Sequence, residues 1–136
     1  PYFQTMAVLA RDPDYDATVL ELPAAQTPPR HLDVLSWYRV TLPYPAALGS
    51  KRSFFHSQNI DFPNVRFEDR TGVIASVLHL EQLTGREATF AATINEVQET
   101  LKTNGIRYII TQFSLKNLKS VELIFSSSPF FLYKIQ

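Results

Sequence analysis

Cysteine is absent from this sequence, and that absence alone removes two classes of chemistry. No disulfide can staple the fold, and no thiolate-based zinc site can form. An excess of either charge is missing too: 13 Lys and Arg stand against 13 Asp and Glu. A nucleic-acid-binding surface needs a positive field to neutralise phosphates, and the totals supply none. Only four glycines occur, and neither Gly-x-Gly-x-x-Gly nor Gly-x-Ser-x-Gly is among their contexts, so the dinucleotide loop and the hydrolase elbow are both lacking. No apolar run approaches the roughly 20 residues needed to cross a bilayer, so a soluble domain is expected. Internal repeats and charge blocks are also missing.

What remains suits a single domain. The chain has 136 residues, 45% of them hydrophobic, with 10 Phe and 6 Tyr to fill a core. It begins at Pro1 and its only methionine is Met6, so it reads as a piece of a longer protein.

Hydrophobic spacing predicts the elements. Tyr2, Phe3, Met6, Leu9 and Ala10 mark a helix over 2–11, stopped by Asp12-Pro13 because a residue before proline avoids the helical region. Residues 17–22 form an apolar strand of the kind covered on both faces. Residues 23–30 are a proline-rich loop. Residues 31–42 are ambiguous between a helical segment and a strand, and a short strand is expected near Arg52–His56. A helix over 70–84 carries Val73, Ile74, Val77, Leu78, Leu80 and Leu83, with Gly85 at its left-handed stop. Thr93-Ile94-Asn95-Glu96 matches a capping box, although the helix it opens could begin near Glu87. Phe90, Ile94, Val97 and Leu101 share that helix's apolar face, and Gly105 ends it. Ile106–Thr111 reads as a strand. Ser114 is expected to cap a helix bearing Leu115, Leu118, Val121 and Phe125, ahead of a final strand at 130–135. The expected fold is α/β: a small mixed, mainly parallel sheet covered by helices, with an edge strand at the C-terminus.

Few residues point to chemistry. His31, His56 and His79 are far apart, so no metal-ligand spacing links them. Asp12, Asp14 and Asp16 alternate, but an EF-hand loop starting at Asp12 requires Gly at residue 17 and Glu at residue 23, where Ala17 and Pro23 stand. A solvated turn is the preferred reading. Gly49-Ser50-Lys51-Arg52 could hold an anion through its backbone and two cations, against the plainer reading of a solvated loop. Glu21 interrupts an apolar strand near its C-terminal end, where open α/β sheets bind ligands. It could act as a general base or accept a hydroxyl, or it could point to an edge or pair with Arg39 or Arg107, which is preferred. Trp37, Tyr38, Phe54 and Phe55 are either a stacking platform or core. The candidate ligand-binding residues are therefore Glu21, Tyr38, Arg39, Lys51, Arg52 and His56. No catalytic group, cofactor or metal is assigned.

Three strings add a resemblance: Ala17-Thr18-Val19-Leu20-Glu21-Leu22-Pro23, Gly105-Ile106-Arg107-Tyr108-Ile109-Ile110 and Leu132-Tyr133-Lys134-Ile135. With Trp37–Thr41 through Gly49–Arg52 between the first two, they resemble the soluble C-terminal region of bacterial polytopic membrane glycosyltransferases. These are the lipid-phosphate-sugar-dependent, mannosyltransferase-like class and related uncharacterised membrane proteins. A His-Gly pair often follows the threonine in that pattern, whereas Leu42-Pro43 stands here, so a ligand role for that loop does not carry over. The resemblance implies that the catalytic carboxylate lies in loops of a membrane portion outside this chain. It further implies an extracytoplasmic accessory domain that binds a glycan, a lipid-linked acceptor or its own transmembrane portion. Two other classes stay open: a free-standing small enzyme built around Glu21, Arg39 and His56, and a structural or oligomerisation domain.

Overall fold

The computed structural model describes residues 1–22, 44–54 and 67–136. Expectations for 23–42 and for Phe55 and His56 lie outside them. The described elements are α1 (Tyr2–Arg11), β1 (Thr18–Glu21), the single turn α2 (Tyr44–Ala47), β2 (Arg52–Ser53), α3 (Phe67–Gln82), α4 (Ala91–Thr103), β3 (Ile106–Thr111), β4 (Val121–Ser127) and β5 (Phe130–Ile135). A 3-10 turn at Glu87–Thr89 leads into α4.

The strands form one sheet in the order β2-β1-β3-β5-β4. β1 runs parallel to β2 and to β3, whereas β5 is antiparallel to both β3 and β4. Four strands therefore point one way and β5 alone opposes them, a small mixed sheet as expected. The C-terminal strand is antiparallel but is not at an edge: β5 lies between β3 and β4, and β4 takes the edge.

Side chains alternate across the sheet, so each strand feeds two cores. Leu20, Leu22, Ile106, Ile109 and Tyr133 join Ile74, Val77, Leu78, Leu80, Ile94, Val97 and Leu101 from α3 and α4. Val19, Tyr108, Ile110 and Leu132 meet Met6 and Leu9 of α1 on the other face. The register steps from Thr18↔Ile106 to Val19↔Tyr108, so Arg107 is an extra residue on β3 and turns out to solvent.

Helix ends follow the local sequence with two exceptions, one being α3, which runs Phe67–Gln82 and leaves Gly85, at φ +63°, in the turn beyond it rather than at its stop. Gly105 has φ +69° and closes α4, its N–H donating to the Lys102 carbonyl at 3.0 Å. The expected capping box is not used. α4 starts at Ala91 with Phe90 as its N-cap and no side-chain cap, which places Thr93 already inside the helix. The 3-10 turn delivers the chain to Phe90 early, and the Ile94 N–H bonds the Phe90 carbonyl at 3.2 Å.

A larger correction concerns the helix expected after Ser114, bearing Leu115, Leu118, Val121 and Phe125. β3 and β4 point the same way with β5 between them, so the chain must cross back over one face. Residues 112–120 make that crossing without helix, and Val121–Ser127 is strand. Leu118 is buried, and Phe113 and Leu115 pack partly into the core shared with α3 and α4.

Candidate functional site

Three places concentrate polar side chains, and the first is a knot under the C-terminal end of α1. Tyr108 and Lys134 are register partners on β3 and β5 and both face α1. The Tyr108 hydroxyl and the Lys134 ammonium both donate to Asp12 Oδ1, the latter at 2.9 Å. Burial disfavours the Asp12 carboxylate, but the hydrogen bonds from Lys134 and Tyr108 outweigh it and hold its pKa below the ordinary value. Burial and the neighbouring Asp12 push the Tyr108 hydroxyl up, so it remains a donor.

Lys51 enters the same knot from the start of β2. Its side chain is turned inward and only 3% exposed. Its ammonium donates to the carbonyls of Leu9 and Asp12, each at 2.8 Å, and lies 4.8 Å from the Tyr15 ring centroid. A cation on the last carbonyls of a helix complements the helix dipole. Burial lowers the Lys51 pKa while Asp12 and Asp14 raise it in part. Close approach of the 45–49 turn to α1 makes this possible, because a Cβ on Gly49 would lie 2.6 Å from Leu9 Cδ2 and 2.8 Å from the Pro45 carbonyl oxygen. The basic loop is thus split: Lys51 locks α1 to the sheet and Arg52 alone faces solvent. Asp12 is likewise a half-buried acceptor of two side-chain donors rather than a free carboxylate of a solvated turn, while Asp14 pairs with exposed Arg107 at 3.6 Å.

Glu21 is the second place. It sits at the carboxyl end of β1, and by alternation it faces the α1 side with Val19. Burial pushes its carboxyl up to about 7, with the Tyr2 hydroxyl pulling the other way. Arg107 is at the opposite end of β3 and belongs to Asp14, so it is not the partner of Glu21. Lys51 and Arg52 lie at the amino end of β1, where Arg52 pairs in register with Thr18, so they do not converge with Glu21. Tyr38, Arg39 and His56 lie outside the described residues. Phe54, read as either a stacking platform or core, is buried in the core with the Arg70 guanidinium 5.0 Å from its ring centroid. His79 is exposed on α3.

The third place was not anticipated. A cleft of about 590 Å³ opens at the amino ends of β1, β3 and β4, beside α4. Ala17, Leu101, Ile106, Leu118, Val121 and Ile135 supply its apolar side chains, and apart from Gly105 the rest of its lining is polar. Its residues come from five separate segments, and no local motif joins them. The one sequence signal was indirect: Asp14, Asp16 and Arg107 are charges next to strand starts. Among the described residues, no group of three or more His, Asp or Glu side chains is placed to hold a metal ion. No helix among those residues is long and apolar enough to cross a membrane. No family model, no curated protein and no solved structure matches this chain.

Proposed function

We propose that this chain is a non-catalytic accessory domain of a larger, glycosyltransferase-like membrane protein, placed on the extracytoplasmic side and acting by binding. The observation that carries the reading joins sequence to topology. The three strings that resemble such proteins fall on β1, β3 and β5, which are contiguous at the centre of the sheet. The resemblance therefore spans one folded unit rather than scattered fragments. The charged residues of that unit also serve architecture: Asp12, Lys51 and Lys134 tie α1 to β2, β3 and β5. A glycan or a lipid-linked acceptor is the partner class this role implies.

The parent gene tests the reading. Several apolar spans of roughly 20 residues each are expected upstream of Pro1. An upstream sequence without them would sink the proposal.

Glu21 favours a second reading, a small enzyme. A half-buried carboxyl whose pKa is raised to about 7 at the carboxyl end of a parallel strand is placed as a general base would be. That reading requires Arg39 and His56 to converge on Glu21. A crystal structure with the three side chains on different faces would dismiss it.

A further inference from the structure

We propose that the cleft at the amino ends of β1, β3 and β4 binds a neutral, polyhydroxylated ligand, a saccharide ring, with its apolar face on Val121 and Ile135. The inference rests on reading the chain as a binding module and gives that module its site. Size fits first, since about 590 Å³ lies within the range of pockets that enclose small ligands.

Charge then narrows the ligand. Three carboxylates, Asp14, Asp16 and Glu99, line the cleft together with three cations, Lys102, Arg107 and Lys119. The signs cancel, so these side chains give the cleft no net charge with which to collect a phosphate or a free cation. A hydroxyl both donates and accepts, and a lining of carboxylates, cations and the amides Asn95, Gln98 and Gln136 offers complementary groups of both kinds. Part of this lining is already fixed: Arg107 is held by Asp14 at 3.6 Å, and Gln98 accepts the Lys119 N–H at 3.1 Å. Beneath it, half-buried Val121 and Ile135, backed by fully buried Ile106, offer aliphatic surface against which the C–H face of a sugar ring can leave water. The site lies at the opposite end of the sheet from Glu21, so it is independent of the enzyme reading.

The test is a titration of the isotope-labelled 136-residue chain, followed by amide NMR. The probes are methyl glycosides of glucose, galactose, mannose and arabinose, with inorganic phosphate as the anionic arm. Saturable shifts are expected at the amides of 105–107 and 119–121 with at least one glycoside. Glu99→Lys, an exposed change on α4 that unbalances the cleft, should weaken binding by about tenfold, the equivalent of one hydrogen bond. Glu96→Lys makes the same charge change on the same helix outside the cleft and should leave the titration unaltered. No saturable shift at the cleft, shifts confined to other surfaces, or a response to phosphate but to no glycoside would each overturn the assignment. A silent cleft would leave the membrane-protein reading standing. A parent gene without membrane spans would end that reading and leave the measured binding at the cleft unaffected.

Discussion

The Asp12 carboxylate accepts from both the Tyr108 hydroxyl and the Lys134 ammonium, and it does so directly beyond the end of α1. Its folded pKa lies below the unfolded value of 3.8, so its stabilisation is complete above that value. The contribution is lost as pH falls from there through the lower folded pKa. Asp12→Asn is expected to lower stability by about 2 kcal/mol near neutrality. The same substitution should flatten the acid limb of a urea-denaturation series, and an unchanged acid limb would remove Asp12 from the account. Only half of this residue's work was legible: its place before Pro13 announces the end of α1, but nothing local announces partners on β3 and β5. Glu21 carries the opposite sign. Its folded pKa of about 7 exceeds the ordinary 4.5, so burial costs nothing below the unfolded value and the cost grows as pH rises through the folded one. Glu21→Gln should therefore stabilise the protein by about 1–2 kcal/mol above pH 7, after allowance for partial solvent screening. It should change little below pH 4.5, the ordinary value, and thermal melts across that window check the sign.

At the scale of elements, the crossing from β3 to β4 depends on one carboxylate. Glu81, in the last turn of α3, accepts the N–H groups of Asn117 and Leu118 at 3.0 and 2.8 Å, and that of Lys116 at 2.5 Å. The Asn117 side chain answers by donating to the carbonyl of Leu80, which also accepts the Leu83 N–H, and to that of Leu83 just beyond the end of α3. A loop can thus replace the usual crossover helix because a helix end and the loop satisfy each other's backbone groups. Glu81→Ala is expected to cost about 2–3 kcal/mol, since buried N–H groups lose their acceptor. Hydrogen exchange should accelerate first at the amides of 116–118, and protection retained there would contradict this role. The same region explains what the sequence hid. Leu115, Leu118, Val121 and Phe125 do fall near helical spacing, but the first two belong to the loop and the last two to β4. A bulge between Leu123 and Phe125 breaks the strict alternation by which β4 would have declared itself. By contrast α1, β1, α3, α4, β3 and β5 were all legible, because each is an unbroken apolar run or stripe and Pro13 and Gly105 mark two of their ends. The capping-box string misled for a related reason, since Thr93-Ile94-Asn95-Glu96 has the right residues one turn too late.

On the scale of the whole molecule, the sheet has two unlike ends. The carboxyl ends of β1 and β2 lead into Glu21 and Phe54, and the sequence pointed there for ligands by analogy with open α/β sheets. The cleft lies at the amino ends instead, assembled from the Asp14–Ala17 turn, α4, the crossing loop, β3 and the chain's last residues. It was illegible in the sequence because its floor comes from ordinary core residues and its polar lining from scattered surface charges. Only tertiary structure brings Asp14 to Arg107 and Lys119 to Gln98. The proposed membrane-protein setting rests on the sequence strings at β1, β3 and β5, the central strands of the sheet. The most direct test of that setting is a reporter fusion at Gln136 of the full-length parent, expressed in a bacterial inner membrane. An alkaline phosphatase fused there should be active and cofractionate with the membrane, while a fluorescent protein at the same position should stay dark. A bright fluorescent fusion with inactive phosphatase, or recovery of the parent in the aqueous fraction, would contradict the account.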